Sequence, residues 1–185
     1  RGLGDVYKRQ EGERTAKLLP ATLSSKIRAL AKSQQTTPYV VLLAAFKVLL
    51  SYESQQDDLV LGTDVANRNR REIEGLIGIF VNQLVLRTDL SGDPAFASLV
   101  QQVRRTVIDA VDHQDLPFDK LVETINPERS ASNSPLFQAK FVFQNTPGSE
   151  PQIPGLSLEP IAILKETARF DLLWTMRDMG DEFLS

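Results

Sequence analysis

The side chain whose ordinary pKa lies nearest to neutrality is His113, in a sequence that contains one histidine and no cysteine. It stands in the tripeptide His113-Gln114-Asp115. A general base needs a substrate within reach and an orienting partner, and the base of a catalytic triad also needs an activated serine. The sequence contains no Gly-x-Ser-x-Gly elbow. Because an imidazolium is stabilised at the carboxyl end of a helix, we predict that His113 ends a helix and has a structural role.

A second candidate for chemistry is the glycine pair in Gly75-Leu76-Ile77-Gly78. A phosphate-binding loop would end in Lys-Ser or Lys-Thr and would open a helix directly after a strand, and this segment does neither. We therefore predict a tight turn before the next strand, in which glycine supplies its backbone freedom.

A third candidate is a run of charges that contains Arg68, Arg70 and Arg71, with Asp64 and Glu72 near by. Such a run is usually a solvated loop. The functional alternative is an electropositive rim that receives a phosphate-bearing arm.

Three amides interrupt otherwise apolar segments: Asn82, Gln138 and Gln144. Buried amides need hydrogen-bond partners, so these residues are either structural pins or groups that line a channel. The sequence leaves both interpretations open. It shows no paired-carboxylate site and no cluster of metal ligands.

Composition excludes several classes of protein. The chain has 185 residues, enough for one domain with one core, and a formal net charge of −3, which argues against nucleic-acid binding. The absence of cysteine removes disulfides, thiolate zinc sites and thiol nucleophiles, and fits a cytoplasmic protein. The longest apolar run, Tyr39 to Leu50, is too short to cross a bilayer, which takes roughly 20 residues.

Apolar periodicity predicts four helices. The second is apolar nearly all round and should lie inside the fold. Thr37 and Pro38 supply its cap and its first-turn proline. Asp93 and Pro94 should open the third. The four helices are predicted at Leu23 to Gln34, Pro38 to about Ser51, Asp93 to His113 and Phe118 to Ile125.

Five segments have the pattern of strands: Leu59 to Leu61, Val81 to Arg87, Leu136 to Gln144, Leu158 to Leu164 and Phe170 to Met176. Period two in the third should place its aromatic side chains against a helix layer and its polar side chains against a wetter cleft or channel. The expected apolar face holds Phe137, Ala139, Phe141 and Phe143, and the expected polar face holds Gln138, Lys140 and Gln144. Helices interleaved with strands predict an α/β sandwich.

Taken together and in order, these segments resemble the condensation domains of non-ribosomal peptide synthetases, over about Glu11 to Ser185. Departures are small: Asp64 stands where the family usually has Pro, Ile79 where it usually has Phe, and Gln83 where it usually has Thr. The segments that carry the resemblance are TTPYVVLLAAFKVLLSYESQQDDLVLGTD at Thr36 to Asp64 with VANRNRREIEGL after it, IGIFVNQLVLR at Ile77 to Arg87, HQDLPFDKLVE at His113 to Glu123, SPLFQAKFVFQ at Ser134 to Gln144 and FDLLWTM at Phe170 to Met176.

The resemblance implies a fold like chloramphenicol acetyltransferase, in which two α/β lobes form a V around a tunnel. This chain would be the C-terminal lobe, a two-layer sandwich of a mixed sheet with helices. Residues 11–185 would form that lobe, truncated at both ends, and residues 1–10 would be a non-native leader.

The resemblance also implies an activity: amide-bond formation between aminoacyl or peptidyl thioesters carried on the 4'-phosphopantetheine arms of carrier domains. The family's signature of two histidines, three residues and Asp-Gly lies in the amino-side lobe and has no match here, so no catalytic residue is expected in this chain and the chain alone is expected to be inactive. Asn82, Gln144 and Arg68 become candidates for lining the substrate channel. The implied partners are carrier domains, the amino-side lobe and an adenylation domain, with no nucleic acid and no membrane.

Two alternatives remain beside amide formation. One is a non-catalytic module that docks a carrier protein. The other keeps the scaffold but changes the chemistry to epimerisation, heterocyclisation or ester formation.

Overall fold

The computed structural model describes residues 10–127, 134–144, 155–156, 167–168 and 170–185. Its helices are α1 (Ala21–Ser33), α2 (Pro38–Ser54), α3 (Arg71–Glu74), α4 (Phe96–Asp112) and α5 (Phe118–Ile125). Its strands are β1 (Gln10–Glu11), β2 (Asp58–Val65), β3 (Asn82–Asp89), β4 (Ala139–Gln144), β5 (Thr167–Ala168), β6 (Leu172–Asp178) and β7 (Phe183–Leu184).

Five strands form one mixed sheet in the order β3-β2-β4-β6-β7. The central pairs β2/β4 and β4/β6 are parallel, and the outer pairs β2/β3 and β6/β7 are antiparallel. The chain before α1 runs beside β7, where the Leu19 N–H donates to the Phe183 carbonyl at 2.8 Å. A separate two-stranded pair joins β1 to β5.

Helices α1, α2 and α4 pack on one face of this sheet and enclose the core. Helix α2 begins as its sequence predicts, with Pro38 in the first turn and the Thr37 hydroxyl accepting a hydrogen bond from the Val40 N–H. An aromatic cluster joins it to the sheet: Phe46 lies 4.8 Å from Trp174 and 5.9 Å from Phe141, ring centre to ring centre. The predicted two-layer α/β sandwich is confirmed.

The main hydrophobic core lies on that face. All the buried apolar residues of β2, β3, β4 and β6 point towards the helices, and they are Leu59, Leu61, Leu84, Leu86, Phe141 and Met176. We call the opposite surface the open face. By the alternation of side chains along each strand it carries Asp58, Val60, Gly62, Asp64, Gln83, Val85, Arg87, Lys140, Val142, Gln144, Leu173, Thr175 and Arg177.

Helix α1 is tied to the far edge of the sheet by a charged pair. Arg28 donates to both carboxylate oxygens of Asp178, at 2.8 and 3.0 Å, and its guanidinium lies 4.2 Å from the centre of the Phe183 ring. The hydrogen bond from Arg28 lowers the pKa of Asp178. This pair fixes the edge of the helix layer over the end of β6.

Several predicted boundaries were wrong. The strand predicted at Leu59 to Leu61 extends over the whole of β2, into the polar segment. The helix expected from Asp93 begins only at Phe96, because Gly92 and Asp93 have positive φ angles of 83° and 50° and form a turn. The strand predicted at Phe170 to Met176 lies at Leu172–Asp178. The strand predicted at Leu158 to Leu164 lies outside the described residues.

Two predictions about which side chains point into the core were also wrong. Helix α2 is not buried all round, because Val48, Leu49 and Tyr52 are 43%, 49% and 73% exposed. Phe137 does not share the face of Phe141. Phe137 precedes β4, so the alternation of side chains along that strand does not apply to it. Its ring covers Gly62 on the open face.

Inside the helix layer, α2 buries a lysine completely. Lys47 has no exposed surface, and its ammonium donates to the Leu86 carbonyl at 2.8 Å. Burial lowers the pKa of Lys47 from 10.5 to about 7, and the nearby charge of Asp58 partly opposes this shift.

We expect Lys47 to make stability depend on pH. Between about pH 7 and 10.5 the unfolded chain holds a proton on Lys47 that the folded chain has released, so the free energy of unfolding should increase as the pH rises through this window. Below about pH 7 Lys47 is protonated in both states, so the free-energy cost of burying its charged ammonium no longer changes with pH. Lys47→Met should remove this slope between pH 7 and 9, measured by urea denaturation. The exposed-site change Lys32→Met is the control, and an unchanged slope in Lys47→Met would contradict the assignment.

Candidate functional site

The segments that carry the family resemblance meet at one end of the sheet. Register places Val65, the last residue of β2, opposite Asn82, the first residue of β3. The turn between α4 and α5 lies against this end. Residues distant in sequence are thus brought together by strand pairing and by the return of the chain after α4.

Asn82 holds the turn between α4 and α5. Its Nδ2 donates to the backbone carbonyls of Gln114 (2.9 Å) and Leu116 (2.7 Å), and its Oδ1 accepts from the Phe118 N–H at 3.1 Å. Both amide hydrogens are therefore engaged by backbone. A second bond near by joins Asn69 Nδ2 to Asp115 Oδ1 at 3.1 Å. This geometry favours the structural-pin interpretation of Asn82 that the sequence left open.

His113 lies where its sequence position predicts, at the end of α4. Its backbone N–H donates to the Ala110 carbonyl at 3.3 Å, and its Nδ1 lies 2.8 Å from the backbone oxygen of Asp109. The side chain is exposed. The prediction that His113 ends a helix is confirmed.

Three phenylalanines join the remaining family segments. Phe137 lies between Phe118 and Phe170, with ring centres 5.7 Å from each. Its ring occupies the space above Gly62, where a Cβ atom would come within 2.2 Å of it. Position 62 therefore has to be glycine for this aromatic cluster to form. The sequence does not predict the cluster, because the period of two assigns Phe137 to the face of Phe141.

Lys140 is on the open face as predicted, but its surroundings are not wet. Its side chain is 7% exposed, and its ammonium forms an ion pair with Asp64 Oδ1 at 2.6 Å. The Phe170 ring covers it, with the ring centre 5.0 Å from Nζ. The prediction for this residue was wrong because the aromatic cluster shields the strand on that side.

The open face carries two further polar pairs between neighbouring strands. Arg87 pairs with Asp58 at 2.7 Å, and this hydrogen bond lowers the pKa of Asp58. Arg177 donates to Gln144 Oε1 at 3.0 Å. Together with Lys140 and Asp64, these pairs link each adjacent pair of strands from β3 to β6.

Gln144 and Asn82 lie at the same end of the sheet but on opposite faces. Asn82 pairs with Val65, which lies on the same face of β2 as the buried Leu61 and therefore on the helix face. Gln144 lies on the same face of β4 as Lys140 and therefore on the open face. Gln144 is exposed. The structure therefore does not bring these two channel candidates into one cluster.

Arg68 does not extend into solvent as expected of a charged loop. Its Nη1 donates to the carbonyls of Ile73 (2.6 Å), Leu76 (2.9 Å) and Glu74 (3.1 Å), and its Nη2 donates to that of Gly78 (3.3 Å). Its guanidinium lies 4.3 Å from the centre of the Phe80 ring. Arg70 and Arg71 are exposed. No pattern of residue types predicts this arrangement, because its acceptors are backbone oxygens.

The turn around Gly75 uses no special glycine conformation. Gly75 follows α3 with a φ of −86°, and neither it nor Gly78 is among the glycines with positive φ. That part of the prediction was wrong. Gly78 instead leaves room for the Phe80 ring, because a Cβ atom at position 78 would lie 3.1 Å from that ring.

Within the described part of the chain, no three or more metal-ligating side chains come together. In the same residues, no helix is both long enough and apolar enough to span a bilayer.

The mixed sheet with helices on one face is an α/β fold, and it superposes on a solved condensation domain, whose fold is of the chloramphenicol acetyltransferase-like class. The chain belongs to the condensation domain family, whose model matches residues 6–183.

Relatives and solved structures agree. One of the linear gramicidin synthase proteins of Brevibacillus parabrevis is 46% identical over 172 residues, which are 92% of this chain and 3% of that protein. The condensation domain of the monacolin K polyketide synthase MokA superposes with a TM-score of 0.82 at 24% identity, over 95% of this chain and 42% of that one. The X-domain from teicoplanin biosynthesis, solved in complex with OxyB, gives 0.78 at 27% identity, over 92% and 38%. The chain thus spans a few per cent of its curated relative and about two fifths of the solved domains.

We expect Asn82→Asp to destabilise the fold by about 3 kcal/mol, because a carboxylate would face the Gln114 and Leu116 carbonyls without a hydrogen to donate. Amide exchange in residues 113–118 should accelerate. The matched control is Gln138→Glu, which changes an exposed amide bonded to the Ser134 carbonyl. Urea denaturation and hydrogen exchange measure both effects, and an equal loss in the two variants would contradict the pinning role of Asn82.

Proposed function

We propose that this chain is the C-terminal lobe of a condensation domain of a non-ribosomal peptide synthetase. The complete domain joins two carrier-bound thioester substrates through an amide bond. The observation that carries the proposal is the family match over residues 6–183, on a fold that spans about two fifths of solved condensation domains. That residues 1–10 are a separate leader stays a prediction.

The open face supports a role as one wall of the substrate tunnel. It combines polar pairs with exposed apolar surface, such as Leu173 at 53% exposure, and it lies on the side of the sheet away from the core. The sequence lacks the paired-histidine signature. Amide formation from a thioester and an amine gains chiefly from holding the two reactants in line, and a wall contributes to that without a catalytic group.

The three candidate residues receive different roles in this proposal. Gln144, with Arg177 beside it, offers an exposed polar group on the open face and is the candidate that fits direct substrate contact. Asn82 holds the turn between α4 and α5 at the end of the wall. Arg68 shapes the loop before β3. Direct contact of Asn82 or Arg68 with substrate would require breaking the backbone hydrogen bonds described above.

The substrates would arrive on the 4'-phosphopantetheine arms of carrier domains, with no cofactor bound to this chain. The partners would be those carrier domains, the amino-side lobe and an adenylation domain of the same synthetase. Such an assembly would act in the cytoplasm.

A second candidate function is a docking module without catalysis. The specific observation in its favour is the similarity to the X-domain, which has been solved in complex with OxyB. The aligned segment of that protein is 27% identical to this chain, against 46% for the linear gramicidin synthase protein, and we therefore rank amide formation first.

A hybrid condensation domain tests the proposal. In it, this chain replaces the matching segment of the linear gramicidin synthase protein described above. We expect the hybrid to form an amide between an aminoacyl donor and an acceptor, both loaded on carrier domains, and the isolated 185-residue chain to form none. Product is measured by mass spectrometry of the carrier domains.

The control is the hybrid with both signature histidines of its amino-side lobe replaced by alanine. Amide formation by the isolated chain would contradict the lobe assignment. A hybrid that folds and binds both carriers but forms no amide would favour the docking module.

A further inference from the structure

The loop before β3 displays apolar side chains that the rest of the described structure leaves uncovered. Ile77 is 105% exposed, Ile79 is 96% exposed and Val81 is 59% exposed. We call these three residues the apolar row. Single exposed apolar residues are common on protein surfaces, but a contiguous set marks an interaction site.

Arg68 determines this display. Its guanidinium gathers the carbonyls of Leu76 and Gly78, and the Phe80 ring stacks beneath it. These contacts hold the backbone of residues 76 to 80 against Arg68, and the side chains of Ile77 and Ile79 within that stretch are left exposed.

The arrangement is held firmly enough to be a preorganised surface. Nη1 of Arg68 has two hydrogens and three carbonyl acceptors, so at least one of these hydrogen bonds is shared. A lysine has one ammonium group and no planar fork to reach the same four acceptors. A loop that is ordered before binding loses less entropy when a partner covers it.

We propose that the apolar row docks onto the amino-side lobe of the same condensation domain, and that Arg68 is the positioning residue that presents it. This inference rests on the lobe assignment made above. The size of the complete domain indicates what covers the apolar row. This chain spans 42% of a solved condensation domain, so more than half of such a domain is available to cover this loop. The row also lies at the sheet end where the family segments meet, next to Asn82.

Hydroxyl-radical footprinting measures the exposure of single side chains and tests the docking. We expect the oxidation of Ile77 and Ile79 to fall at least about tenfold between the isolated chain and the hybrid domain defined above. Ile125, which is 54% exposed at the end of α5, is the internal reference and should change less than twofold.

Variants separate docking from folding. Ile77→Asp with Ile79→Asp should lower the melting temperature of the hybrid domain by several degrees and leave that of the isolated chain unchanged, because both side chains are already solvated there. Ile125→Asp is the matched control and should affect neither. Arg68→Lys should lower the melting temperature of the hybrid domain and accelerate amide exchange at residues 75–81 in both, whereas Arg70→Lys, at an exposed neighbour, should do neither.

The outcomes distinguish this inference from the proposed function. Full exposure of the apolar row in a hybrid domain that forms amides would overturn the docking inference and leave the function standing. Protection of the row in a hybrid domain that forms no amide would support docking and contradict the activity. Protection in the isolated chain that increases with protein concentration would assign the row to a second copy of this chain and overturn the inference.

Discussion

The structure depends on a sheet whose main hydrophobic core lies on one face. Three helices cover one side, and every buried apolar strand residue points into that layer. On the other side the strands are joined by polar pairs and by one aromatic cluster around Gly62. A sheet of this kind is stable because one core suffices for folding, while the second face remains available for a partner or a substrate.

Backbone hydrogen bonds, more than side-chain chemistry, build the end of the sheet where the family segments meet. Asn82 engages two carbonyls and one N–H of the turn after α4, and Arg68 engages four carbonyls of the loop before β3. By sequence, both residues are candidates for substrate contact. Their polar atoms hold these loops in shape.

Local signals predicted the elements well. Helix α5 occupies the residues that the sequence indicates, and α2 starts at its proline because Thr37 and Pro38 act within one turn. Long-range pairings were not predictable in the same way. The Lys140 and Asp64 ion pair requires knowing that β2 and β4 are neighbours, although an acid at the position where the family usually has proline, and a lysine inside an apolar strand, were signals for it. The position of Phe137 depends on where β4 begins, which the period of two does not define.

The accessibility of the open face tests the account most directly, and the absence of cysteine from this chain makes the measurement clean. Leu173→Cys places a thiol on the open face, and Tyr52→Cys places one at the end of α2, on the helix layer. In a hybrid domain freed of other cysteines, we predict that the thiol introduced by Leu173→Cys reacts with a small thiosulfonate but excludes a bulky maleimide, while the thiol at position 52 reacts with both. Equal reaction of the two thiols with the bulky reagent would contradict the claim that the open face is the wall of an enclosed tunnel.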